Sequence, residues 1–281
     1  MSAGLKVFKE NGGLLFDTEK ITYGLLKSGY LQLLTTWPRL ELRSEGLDPA
    51  DPGSWRESSF ADNIFGFSVT DAVAPIVFIS GSGSSCGSSR SGSTTTFYFI
   101  GATTSTKYYY FDTMRDTLNG AGLKCYNESG VLTFNSLQYP LDIAAVVTAP
   151  ARPAAIPGLP GLYANPYVGG TAVNGSISSG APYNTVSSVV VPIGAGEYAA
   201  ALTFSRSAGM GDRRSQNYSI YATAIQEGAG GVSGGVRFMF CIAARSTQLI
   251  SNTGSGSFYD IPTTYPTALA IRTENLPFPF N

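Results

Sequence analysis

The chain has 281 residues, of which 43% are hydrophobic and only 13% charged, with a net charge of −1 and a pI near 5.5. There is material for a real core, but the charged share is about half that of an ordinary soluble domain, and no basic stripe of the kind a nucleic-acid partner requires is visible. The sequence contains no histidine, which excludes Ser-His-Asp and Cys-His machinery and the usual histidine-containing zinc sites.

The first predicted element lies at the N-terminus and is repeated. Residues 4–17, GLKVFKENGGLLFD, align without a gap on residues 122–135, GLKCYNESGVLTFN, at a shift of 118 positions. Gly4/Gly122, Leu5/Leu123, Lys6/Lys124, Glu10/Glu128, Gly12/Gly130, Leu14/Leu132 and Phe16/Phe134 are identical, and Phe8 faces Tyr126. In each copy apolar and polar residues alternate on either side of a short polar loop ending in glycine. A period of two is that of a strand, and a glycine closing such a loop supplies the positive φ of a bulged hairpin. Both copies are therefore predicted to be β-hairpins, and because a two-stranded ribbon is marginal alone, each must lean on a wider surface.

The stretch 18–34 predicts one or two strands broken at Gly24 and Gly29. Pro38, Pro49 and Pro52 mark a loop in which Asp48 and Asp51 are read as turn residues, since the alternating acids and closing glutamate of a calcium loop are missing. Strand material follows at 65–80. The run GSGSSCGSSRSGSTTT over 81–96 reads as a mobile Gly/Ser loop. Strands 96–102 and 107–112 are expected to pair across Thr103-Thr104-Ser105. Tyr108, Tyr109 and Tyr110 stand in a row and so point to both faces, which favours core over a sugar-stacking platform. After the second hairpin a strand is predicted over 139–147.

Residues 148–166 are rich in proline and alanine and predict an extended connector. The expected organisation is a first β domain, 1–149, carrying both hairpins (4–17 and 122–135), a connector over 150–161, and a β-sandwich-like domain over 162–281. In the latter, strands are predicted at 185–193, 198–205, 218–225, 236–244 and 268–272, separated by glycine clusters such as Gly228-Ala229-Gly230-Gly231. The fold class is all-β: short antiparallel strands in sandwich- or barrel-like sheets, with a duplicated hairpin and long Gly/Ser loops. Phe278 and Phe280 in the tail are expected to dock on a surface.

No catalytic, cofactor-binding or metal-ligating residues are assigned. Asp112, Asp116 and Asp142 read as turn or strand-edge residues, so a two-carboxylate glycosidase is not favoured and the chain is not expected to be an enzyme. Cys86, Cys125 and Cys241 lack paired spacing and read as reduced structural thiols. Arg213-Arg214 is read as a solvated loop tip. The opening MSAGLKVFKENGG lacks a long apolar run, so no secretory signal is expected, and the Asn-x-Ser triplets at Asn127, Asn174 and Asn217 carry no weight. No stretch is apolar enough for a membrane-spanning helix.

The hairpin residues, and the run YYYFDTMRDTLNGAGLKCYNESGVLTFNS above all, resemble a class of small proteins encoded among the tail genes of tailed bacteriophages. These carry a motif of the form G-L-x-V-[FY]-[ND]-x-x-G-x-L-x-F-[DN], often after a Tyr/Phe-rich strand ending in Phe-Asp. Phe111-Asp112 stand in that place, and Gly122, Leu123, Tyr126, Gly130, Leu132 and Phe134 match the motif, while Cys125 departs from its aliphatic position. The likeness covers the two motif copies and the strand before the second, under a fifth of the chain. It implies a virion protein of the distal tail (tail tip, baseplate or fibre attachment) made in the host cytoplasm. Its implied partners are other tail proteins and copies of itself in a trimer or ring, with no nucleic acid and no membrane span. The alternative is a receptor-binding module in which residues 162–281 recognise a host-surface glycan or protein.

Overall fold

A computed structural model describes residues 6–8, 10, 12–17, 20–44, 46–48, 50–116, 120–172, 185–213, 220–251 and 257–281. Gly4, Leu5, Lys9, Asn11, Asn174, Arg214 and Asn217 lie outside them, and Arg213 ends a strand. Among the described residues the protein is all-β, with antiparallel multi-stranded sheets and no closed barrel.

The strands of the first half are β1 (Lys6–Phe8), β2 (Leu14–Asp17), β3 (Tyr23–Tyr30), β4 (Gln32–Leu42), β5 (Trp55–Thr70), β6 (Ile76–Ser80), β7 (Ser84–Ser91), β8 (Thr94–Ile100), β9 (Lys107–Thr113), β10 (Lys124–Tyr126), β11 (Leu132–Asn135) and β12 (Ala145–Thr148). Those of the second are β13 (Leu162–Tyr163), β14 (Thr171–Ala172), β15 (Thr185–Leu202), β16 (Ser207–Arg213), β17 (Ile220–Ile242), β18 (Thr247–Ser251), β19 (Phe258–Tyr259) and β20 (Thr267–Arg272). Apart from the ribbons β1-β2 and β10-β11, all belong to one hydrogen-bonded network running β12-β20-β15-β6-β17-β18-β4-β5-β8-β7.

Several local expectations are corrected. β3 runs unbroken through Gly24 and Gly29; a Cβ at Gly29 would meet the Tyr108 ring at 3.1–3.3 Å, so this glycine makes room for a neighbour instead of ending a strand. Pro38 lies inside β4, beside a bulge. The Gly/Ser run is a hairpin, not a loop: β7 pairs with β8 from Ser84↔Ile100 to Ser91↔Thr94, and Gly92 turns the chain at φ +59°. Serine and glycine are weak strand formers, but β8 offers their backbone groups a partner at nearly every position. Nor does β8 pair with β9. β8 lies between β5 and β7, while β9 lies between β3 and β6, so the Thr103–Thr106 turn carries the chain from one sub-sheet to another.

The largest correction concerns the glycine cluster 228–231. It separates nothing: β17 passes through it as one strand of 23 residues. A Cβ at Gly228 would lie 2.4 Å from the Gly83 carbonyl oxygen, one at Gly230 2.0 Å from that of Gly81, and one at Gly231 1.9 Å from that of Tyr198. These glycines let the β17 backbone touch the two halves of the chain at once. Gly231 pairs with Ser80 of β6, and Gly81 N–H donates to the Gly231 carbonyl at 2.9 Å.

The expected connector, 150–161, falls between β12 and β13. Hydrogen bonds cross it in both directions: β12 pairs with β20, β6 with β15 and β17, and β4 with β18. One core cluster, with Phe238, Phe240, Ile225 and Val236, lies mostly in the second half and takes in Val147 and Ala149. Another joins Phe65, Phe67, Phe99 and Tyr108 of the first half, and a third draws on both halves, with Phe78 and Phe111 beside Ala199 and Ile271.

Candidate assembly surface

The duplication is preserved as structure. In β1-β2 the pairs are Lys6↔Asp17, Val7↔Phe16 and Phe8↔Leu14, with a bulge after Val7. In β10-β11 they are Lys124↔Asn135, Cys125↔Phe134 and Tyr126↔Leu132, with the bulge after Cys125. Every partner is displaced by the same 118 positions. Gly12 and Gly130 have φ of +80° and +72° with open space around them, so glycine is required there by backbone conformation alone.

The two ribbons pack together and against the exit of β9. Met114 and Phe134 are buried, with Val7, Cys125 and Leu132 around them, so equivalent residues of the two copies, Val7 and Cys125, share one small core. Thr22 N–H donates to the Thr133 carbonyl and Met114 N–H to the Thr22 carbonyl. Asn135 is buried, its Nδ2 donating to the Arg115 carbonyl while its Oδ1 receives Leu137 N–H. Where the first copy uses the cross-strand Lys6–Asp17 ion pair, the second recruits Asp116, whose carboxylate accepts from both Lys124 Nζ and the Tyr126 hydroxyl. Those two donors, Lys124 first, hold the Asp116 carboxyl below its usual range.

Outward, the equivalent aromatics stay in water: Phe8 is 57% and Tyr126 48% exposed, and Leu123 and Val131 of the second copy are exposed as well. A pair of small ribbons that turns matched apolar side chains to solvent over a core of five described residues is built to be covered.

Elsewhere the polar groups serve the fold. Asp48 and Asp51 accept backbone N–H bonds from Ala50 and Gly53 and cap their turns. Tyr108, Tyr109 and Tyr110 are all buried, which places both faces of β9 in core; burial pushes the Tyr108 hydroxyl up to about 12. Asp112 is not a strand-edge residue, as sequence suggests, but is wholly buried. Its carboxylate accepts from Val73 N, Ala74 N, Thr113 N and the Tyr110 hydroxyl, with Arg115 at 3.7 Å. The cysteines are free, and burial pushes Cys86 and Cys241 up to about 12, far from reactive thiolates. Among the described residues no cluster of acids and cysteines could hold a metal ion, and no helix is long and apolar enough to cross a membrane.

The tail docks on its own chain. Phe280 and Ser28 exchange backbone hydrogen bonds, and Phe278 packs edge-on against Tyr30 at 4.9 Å. Two buried ion pairs escaped sequence reasoning: Arg39–Asp62, and Arg206–Glu227 with Tyr167. Their partners are 21 to 60 residues apart, and no local pattern marks them.

A cleft of about 550 Å³ opens where the halves meet, lined mainly by apolar residues of β6, β8 and β15 with Phe204 near its rim. It gathers no set of polar groups that would define a reaction. Compared with protein-family models, curated proteins and solved structures, the chain matches none.

Proposed function

We propose that this protein is a structural subunit of a bacteriophage tail, in the tail-tip, baseplate or fibre-attachment region, and that the paired hairpins are its docking module toward neighbouring tail proteins and further copies of itself. The observation that carries this reading is the duplicated ribbon pair holding Phe8 and Tyr126 in equivalent, exposed positions. Exposed aromatic side chains of this kind make strong anchors once buried in an interface. The charge-poor composition and the absence of a reactive constellation among the described residues point the same way.

The test is incorporation. In a phage whose genome encodes this chain, the protein is expected in purified particles, at the distal end of the tail by labelled electron microscopy. Phe8→Ala with Tyr126→Ala is expected to yield a folded protein that no longer enters the particle. Absence of the wild-type chain from particles, with normal tails assembled, would overturn the reading.

A further inference from the structure

The cleft between the halves is walled by strand edges. Consecutive residues line it on both sides, Ile76 and Val77 of β6 and Ala201 and Leu202 of β15. Neighbours along a strand point to opposite faces, so a cavity that touches both meets the strand edge-on.

The flanking ladders fix which backbone groups point into it. Ser28 exchanges its backbone bonds with Phe280, so those of Tyr109, which faces Ser28, turn to Phe78 of β6. Alternation along an antiparallel strand then turns the N–H and C=O of Val77 and Ile79 away from β9. Gly81, in the same phase, donates on that side to the Gly231 carbonyl. On β15, the Glu197 carbonyl accepts from Thr273 N–H and Thr203 N–H donates to the Thr267 carbonyl. Ala199 and Ala201 therefore face β20, while Ala200 and Leu202 face the other way.

β6 and β15 are antiparallel and meet at one rung, Ala200↔Ile79. The next rung in that register would join Leu202 to Val77, but the strands part there. Among the described residues neither has a ladder partner on that side. An N–H and a C=O from each wall thus face one apolar space, with Phe97, Phe99, Ala229 and Leu269 around them. Among the described residues the one charged group of the lining is Glu227, and its carboxylate is already held by Arg206 and Tyr167.

This combination selects its occupant. A hydrocarbon chain would fill the space but leave the backbone groups buried and unpaired, which is costly. A small polar solute would pair them and leave the apolar lining wet. An extended polypeptide supplies donors and acceptors along both of its edges and apolar side chains above and below.

We propose that the cleft binds an extended, uncharged peptide segment of a partner protein, inserted between β6 and β15 so that Val77 and Leu202 complete their rungs on it. Because the two walls are antiparallel, the segment runs parallel to one and antiparallel to the other. The site uses neither hairpin and does not depend on the tail reading.

Amide hydrogen exchange on the full chain is expected to be faster at Val77 and Leu202 than at Phe78 and Ala201, whose N–H groups lie in ladders. A random-peptide library selected against the full chain is expected to enrich uncharged sequences in which apolar residues alternate with threonine or serine. A peptide so selected slows exchange at Val77 and Leu202. Analogues of it with single backbone amides replaced by esters keep every side chain and lose one donor; those facing a wall are expected to bind about tenfold more weakly. Leu202→Pro removes an N–H that β20 does not use, and is expected to lose the peptide while keeping the circular-dichroism spectrum of the wild type. The proposal is overturned by a library that yields no binder, by binders that leave exchange at the two amides unchanged, or by ester analogues that all bind as tightly as the parent. Peptide binding retained by a folded Leu202→Pro chain overturns it too. So does slow exchange at Val77 and Leu202 in the free chain, including slow exchange that quickens on dilution and so marks a second copy as the occupant.

Discussion

The carboxylate of Glu227 receives Arg206 through two parallel bonds, Nε to Oε2 at 2.6 Å and Nη2 to Oε1 at 2.8 Å, with both side chains essentially out of water. The Tyr167 hydroxyl adds a third bond at 2.7 Å, and Arg206 Nη1 reaches the Pro262 carbonyl. Burial works against the charged Arg206, but Glu227 more than compensates and its pKa ends raised; burial, and then Glu227, lift the Tyr167 hydroxyl well above its usual value. The cluster ties β17 to the segments before β16 and β20, and to the loop carrying Tyr167.

Breaking this pair from one side leaves a buried charge alone. Glu227→Ala is expected to destabilise the protein by about 3–5 kcal/mol, whereas Arg206→Met with Glu227→Leu and Tyr167→Phe recovers most of that loss, because an apolar cluster of similar volume leaves no buried charge or hydroxyl without a partner. Urea denaturation of the two variants and the wild type checks the order.

Asp112 makes stability depend on acid. Burial pushes its carboxyl up, but the Tyr110 hydroxyl and the N–H groups of Val73, Ala74 and Thr113 outweigh this and hold its pKa below the ordinary 3.8. A carboxyl depressed in the folded state contributes stability that is present above its unfolded pKa and is lost as pH falls through the folded value. Wild-type stability is therefore expected to fall below about pH 3.8. Asp112→Asn is expected to be less stable at neutral pH by about 1.5–3 kcal/mol, the worth of hydrogen bonds to a charged group. It should also show a flatter dependence below pH 4, a range set by the unfolded carboxyl. Denaturation curves from neutral to acid pH for both chains decide it.

Two glycines should fail for different reasons. Gly231→Ala sets a methyl 1.9 Å from the Tyr198 carbonyl oxygen; backbone must move, and a loss of about 1–3 kcal/mol or more is expected, with hydrogen exchange accelerated at Ser80 and Gly81. Gly130→Ala meets nothing but must hold φ +72°. It is expected to cost about 1–2 kcal/mol, confined to the hairpin, with exchange in β6 unchanged. Exchange mass spectrometry separates the two patterns.

Both hairpins were legible from residues alone, down to the glycine that turns each one, because a ribbon is specified by neighbours in the chain. The all-β class was legible for the same reason, through alternation and turn residues. The same local cues misled at 228–231, at Gly24 and Gly29 and in the Gly/Ser run. There small residues answer to a backbone or ring many positions away, so a glycine that breaks a strand and one that lets two strands touch look identical in sequence. Asp112 shows the limit for charge: a carboxylate after a tyrosine run reads as an edge residue until the 71–74 turn is seen to supply its donors.

The order of amino acids determined that this chain would be strands and turns, that two ribbons would share one design, and that no histidine-based chemistry was available to it. Only the tertiary structure decided which strands are neighbours, that the two ribbons lean on each other over Met114 and Phe134, and that Asp112 is wholly buried. Pairing across a sheet is a contest among distant segments for the same backbone groups, and its outcome is set by close approach and burial, which no short window of sequence contains.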